Sequence, residues 1–138
     1  MRPRRARLAI GVVAAILIGG ATAGILFEAA HERSQLRSHA ADVTVGDPSR
    51  GASMFIQYGC GSCHGLKHVR KASGGVGPSL DGIAVRAVIA GKLSNTPDNL
   101  ETWIRDPQRI SPGTAMPDLN VGERNARDIS AFLYTRAE

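Results

Sequence analysis

Cys60, Cys63 and His64 are the residues of this chain whose types and spacing best fit joint chemistry. They stand in the run Cys60-Gly61-Ser62-Cys63-His64, and the chain has no other cysteine. Two thiols and an imidazole at this spacing form the attachment signature of a c-type haem. Each thiol can form a thioether to one vinyl group of the porphyrin, and the imidazole that follows then lies under the ring with a nitrogen toward the iron. Gly61 and Ser62 are small enough to leave the ring edge clear. Three other readings compete. A thioredoxin-like redox pair belongs in a βαβ pattern, and none is visible around these residues. A structural zinc site takes four Cys or His ligands, and no second cysteine pair exists to complete it. A plain structural disulfide is the third alternative.

The rest of the chain must position that site. Its 138 residues suffice for one domain and an appendage. Aromatic residues make up only 4% of the chain. A domain of about 90 residues buries a modest share of its surface, so a porphyrin would supply missing apolar volume. The net charge of +5 raises the possibility of a nucleic-acid partner. Four arginines, however, crowd the extreme N-terminus as Arg2, Arg4, Arg5 and Arg7. The basic balance therefore reads as a membrane-topology signal, and no nucleic-acid partner is expected.

Leu8 to Phe27 is a run of twenty residues without a charge. As a helix it is roughly 30 Å long, the thickness of a bilayer's hydrocarbon core. Arginines before it and Glu28 and Glu32 after it place the N-terminus in the cytoplasm and the remainder outside. Ala21-Thr22-Ala23 resembles a signal-peptide cleavage site. The apolar run continues through Ile25-Leu26-Phe27, which favours an uncleaved signal anchor over residues 1–27. Residues 28–46 read as a tether, helical from Glu28 to Asp42 by propensity and looser from Val43. His31 and His39 fall there and read as solvated surface residues.

The domain proper is expected over residues 47–138. Asp47-Pro48 marks a helix start that runs to about Tyr58, with Gly59 breaking it before the haem motif. Gly51 and Phe55 share one face of that helix, and Met54 reads as packing. Gly65 to Gly75 is a basic loop carrying Lys67, His68, Arg70 and Lys71, and His68 follows His64 too closely to reach the opposite face of the ring. Ile83 to Ile89 suits a short helix. Thr96-Pro97 caps another that runs to about Arg105. Asp106 to Pro117 is a loop rich in Pro and Gly. Val121 to Arg136 is the closing helix, with Asn120 as N-cap and Glu123 at the capping-box position.

Together these features resemble a class I c-type cytochrome over roughly residues 48–136. The fold so implied is all-α and nucleated by haem, here preceded by one transmembrane helix. In that family a helix leading into the Cys-x-x-Cys-His motif crosses the C-terminal helix, and Gly51, Phe55, Ile129 and Phe132 match the crossing. The resemblance implies one haem c held through Cys60 and Cys63, with His64 and Met116 as the two axial iron ligands. It implies that the Pro78 carbonyl accepts the second ring N–H of His64. It sets Arg86 and Trp103 near the haem propionates, against the alternatives of a solvated arginine and a plain core tryptophan. Val76-Gly77-Pro78-Ser79-Leu80, Asn95 to Leu100, Trp103 to Gln108 and Pro112 to Pro117 look like the cytochrome c domain fused to subunit II of some haem–copper oxidases. Those proteins carry a copper-binding cupredoxin domain before the haem domain, for which this chain has neither the room nor the cysteine pair.

The function so implied is single-electron transfer in a respiratory chain by a membrane-anchored monohaem protein, not an enzyme. Its expected partners are a terminal oxidase, a quinol–cytochrome c reductase or a dehydrogenase. Its expected place is the cell inner membrane, single-pass, with the haem domain on the periplasmic side. The alternatives are a permanent haem subunit of a dehydrogenase or oxidase complex, and a haem peroxidase or gas sensor should Met116 not bind iron.

Overall fold

A computed structural model describes residues 3–137. Met1, Arg2 and Glu138 lie outside the described residues, and the side chains of the N-terminal arginine cluster lie outside them as well. The chain forms two compact units, Met1–Gln35 and Leu36–Glu138. Helix α1 (Pro3–Thr44) begins in the first and ends in the second. Every residue from Gly11 to Phe27 is exposed, among them Ile16, Leu17, Leu26 and Phe27. This stretch belongs to a helix long and apolar enough to cross a membrane. His31 stacks on Phe27 with ring centroids 6.3 Å apart and stays exposed.

The second unit carries the site. The segment expected as a tether belongs partly to this unit, because its boundary lies at Leu36. The last turns of α1 bury Ala40 completely and Thr44 nearly so. The helix runs to Thr44 rather than loosening at Val43, and it ends where Val45 turns to φ +53°. Helix α2 (Pro48–Gln57) starts as its sequence dictates. Asp47 Oδ1 accepts the amides of Ser49 and Arg50 at 2.8 and 3.1 Å, with Pro48 in the first turn.

Helix α3 (Pro97–Arg105) is capped by Thr96, whose hydroxyl accepts the Asn99 amide at 3.3 Å. A one-turn helix α4 (Pro107–Ile110) follows inside the stretch that composition marks as a loop. Its cap is Asp106, which accepts the Arg109 amide at 3.0 Å.

Two other expectations are corrected. Ile83 to Ile89 is not a helix. A 3₁₀ turn covers Ile83–Val85, and strand β1 (Val88–Ile89) then pairs antiparallel with β2 (Leu93–Ser94). The cause is Asn95. Its amide donates to the carbonyls of Ile83 and Arg86 at 2.7 and 2.8 Å, the acceptors that a continuing helix would need for its own ladder. Helix α5 (Glu123–Tyr134) begins later than Val121 and ends before Arg136. Its N-cap is Gly122, without a side-chain cap, while Asn120 stands at φ +53° and its amide donates to Asp118 Oδ1 at 2.7 Å. Glu123 does not close a capping box; its carboxylate pairs with Arg127 at 2.8 Å.

Helices α2 and α5 cross at Gly51. A Cβ there would collide with the backbone of Asp128 and the Cβ of Phe132. Phe55 and Phe132 fill the crossing with ring centroids 5.6 Å apart. Asp128 fastens it: Oδ1 accepts the Asp47 amide and Arg50 Nη2, and Oδ2 accepts Arg50 Nε, each at 2.8 Å. Burial works to raise the Asp128 pKa. The hydrogen bonds from Arg50 and the Asp47 amide, with the charges of Arg50 and Arg124, outweigh it and leave the carboxyl below its ordinary value.

Candidate functional site

Gly59, at φ +70°, turns the chain out of α2 and into a 3₁₀ turn, Cys60–Ser62. The amides of Cys63 and His64 both donate to the Cys60 carbonyl, at 3.2 and 3.0 Å, so the two thiols and the imidazole belong to one tight turn. Cys60 is half-buried, and burial pushes its thiol up to about 11.

The chain then loops through Leu66 and Ala72, both buried, and returns beside the turn. The Gly77 amide donates to the Cys63 carbonyl at 2.9 Å and the Leu80 amide to the Gly65 carbonyl at 2.8 Å. That pairing brings Pro78 over His64. His64 Nδ1 lies 2.7 Å from the Pro78 carbonyl oxygen. A carbonyl can only accept, so Nδ1 is the donor, and the neutral ring in this tautomer has its lone pair on Nε2. Gly77 makes this approach possible, because a Cβ there would strike the imidazole ring at Cε1 and both nitrogens. Arg86 Nη2 donates to the carbonyls of Ser79 and Asp81 at 2.6 and 2.8 Å, holding the same loop from behind. The Lys67 amide, with help from Ser79, Lys67 and Arg86, holds the Asp81 carboxyl below its usual range against the effect of burial.

These residues open onto a cavity of about 430 Å³. Its floor is apolar: Phe55 from α2, Leu100, Trp103 and Ile104 from α3, and Ile129 and Leu133 from α5. Met116 lines it as well and is half-buried. All seven residues singled out from the sequence (Cys60, Cys63, His64, Pro78, Arg86, Trp103 and Met116) border this one cavity. Trp103 stands there as a buried indole, and Arg86 there is already engaged with two carbonyls. The cavity suits a haem by the chemistry of its donors. His64, with Nδ1 committed to Pro78, the thioether residue Met116 and the two cysteines border a mainly apolar space whose polar lining includes Ser62, Arg86, Ser111 and Thr114.

Sequence reasoning assigned no role to three residues that shape the site. Gly77 admits the His64 ring. Asn95 fixes the turn behind Arg86, and Tyr134 donates to its Oδ1 at 3.3 Å. Gln108 organises the backbone around Met116. The sequence did flag the runs in which they sit, and only the fold supplies their partners.

The family model for cytochrome c matches residues 48–137. The chain belongs to the cytochrome c family. It is a class I c-type cytochrome related to oxidase subunit II, and the family implies haem and electron transfer. Among curated proteins it is 35% identical over 86 residues to cytochrome c oxidase subunit 2 of Alkalihalophilus pseudofirmus, covering 62% of this chain and 24% of that protein. It is 30% identical over 83 residues to the protein of the same name from Bacillus subtilis, covering 56% of this chain and 23% of the relative. A third match, from Bacillus sp. strain PS3, is 34% identical over 76 residues, covering 52% and 21%. This cytochrome thus spans at most about a quarter of the length of the curated relatives it matches. No solved structure matches the chain.

Proposed function

We propose that this cytochrome is a membrane-anchored, monohaem carrier of single electrons that delivers them in a respiratory chain, to a terminal haem–copper oxidase. The reading is carried by one observation: His64, with Nδ1 committed to the Pro78 carbonyl, and Met116 border the same cavity as both cysteines. Haem, when bound, supplies a one-electron iron couple.

The chain does the rest. Cys60 and Cys63 provide thioether links to a single haem. His64 would hold the iron through Nε2, and its bond to Pro78 would fix the ring and raise its basicity. Met116 would hold it through its thioether, a pairing that would raise the reduction potential. Phe55, Leu100, Ile104, Ile129 and Leu133 keep water from the buried face. Were both side chains to hold the iron, a substrate would find no open position on it, and on that ground the reading is a carrier. Arg86 and Trp103 border the cavity, and there they would be the N–H donors for the haem propionates. The apolar part of α1 is read as a single-pass anchor in the cell inner membrane, with the haem domain on the periplasmic side.

Intact mass and the visible spectrum of the purified protein, oxidised and reduced, test this. A mass raised by one haem, low-spin bands, and a long-wavelength ferric band that disappears in Met116→Ala are expected. A protein without covalent haem would refute the proposal, and high-spin ferric haem would turn it toward a peroxidase or sensor.

The names of the relatives favour a second reading, a permanent haem subunit of an oxidase complex. A stoichiometric complex that survives mild detergent extraction separates it from a shuttling carrier.

A further inference from the structure

Gln108 stands half-buried at the second position of α4, and its carboxamide is used three times. Nε2 donates to the carbonyls of Thr114 and Met116, each at 2.8 Å, and Oε1 accepts the Gly113 amide at 3.1 Å. The helix beneath it is itself fixed, because Pro107 is fully buried and Asp106 caps the turn. The loop it grips has one backbone bond of its own, from the Thr114 amide to the Ser111 carbonyl at 3.0 Å. Pro112 and Pro117 flank it and carry no N–H to contribute.

We propose that Gln108 is the positioning residue for Met116. Its amide holds the Met116 backbone so that the thioether stays presented to the cavity, and it thereby sets how readily another ligand displaces that sulfur from iron. The proposal rests on the reading of Met116 as an axial ligand. A primary amide is suited to the task, since it offers two N–H donors for two carbonyls and an oxygen for one amide. Glutamate lacks the donors and leucine lacks all three. Without the clamp, the loop regains backbone freedom that must be surrendered again each time the sulfur binds.

The test uses the full-length haem-loaded protein in detergent, with imidazole as the competing ligand. The ferric protein is titrated with and without Gln108→Leu, in the natural chain and in Met116→Ala. In the natural chain, Gln108→Leu should lower the imidazole concentration for half-displacement by about tenfold, the worth of one or two net hydrogen bonds. In Met116→Ala the same substitution should change nothing, because there is no sulfur to displace. Gln108→Ser, whose smaller side chain lets water enter, carries the same expectation should the leucine variant fail to fold. Equal midpoints in the natural chain, or an equal shift in both backgrounds, would overturn the proposal; the latter would mean a general loosening of the cavity. Should Met116→Ala itself bind imidazole no better than the natural chain, the ligand reading falls and takes this one with it.

Discussion

At the scale of single residues, the site depends on which atoms are missing as much as on which are present. Gly77 is the case that touches a proposed ligand, since a Cβ there would strike the His64 ring. Gly77→Ala should therefore lower the haem-to-protein ratio of the purified cytochrome. Gly75→Ala, whose Cβ would meet nothing within 4 Å, should leave the ratio unchanged. Asp128 makes a different kind of prediction. Its folded pKa lies below the unfolded carboxylate's, about 3.9. Its contribution to stability is thus complete above that value and is lost as pH falls through the folded one. Thermal melts of the natural protein and Asp128→Asn should differ at neutral pH and converge in acid. Parallel curves across the whole range would show that the carboxylate's charge is not what fastens α2 to α5.

At the scale of elements, the α2–α5 crossing is the closest approach. Gly51→Val puts methyl groups into the backbone of Asp128, and should cost roughly 1–3 kcal/mol or more in denaturant unfolding. The last turns of α1 are part of the same structure: a Cβ on Gly46 would collide with the Arg127 carbonyl, and Ala40 is wholly buried. A domain cut to begin at Asp47 should melt lower than one that begins at Leu36. Elements of this molecule were legible in the sequence where their cause is local. Asp47-Pro48 and Thr96-Pro97 carry their caps within three residues, and both helices start where those residues indicate. The two-residue strands and the late start of α5 were not legible. Ile83 to Ile89 has helical spacing, but Asn95 takes its carbonyls from across a hairpin. Asn120 and Glu123 spell a capping box, but Asp118 and Arg127 engage them instead. The cavity's residues could be named from motifs. The three contacts of Gln108 and the room at Gly77 are properties of the fold, invisible until the loops are placed.

At the scale of the whole molecule, the distribution of charge carries a prediction about encounters with partners. Lys67, Arg70 and Lys71 are exposed on the loop that follows His64. Neutralising all three should slow electron transfer to an acidic partner at low ionic strength and flatten the salt dependence of the rate. The difference from the natural protein should vanish near 1 M salt, where the screening length falls to about 3 Å. Rates and salt slopes that do not change would remove these residues from the encounter. An anchor would add an effect of geometry, by keeping the haem domain close to membrane partners and raising their effective concentration.

The clasp also sets an order of events in time. The Arg50–Asp128 pair joins residues 78 positions apart, and Gly51 meets its partner helix near the end of the chain. A polypeptide is made from its N-terminus at about 5–20 residues per second, so Glu123–Tyr134 emerges last. Until it does, α2 has nothing to cross, and the cavity beside the turn lacks the wall that Ile129 and Leu133 supply. The fold thus places both thiols ahead, in the order of synthesis, of the helix that completes the cavity around them.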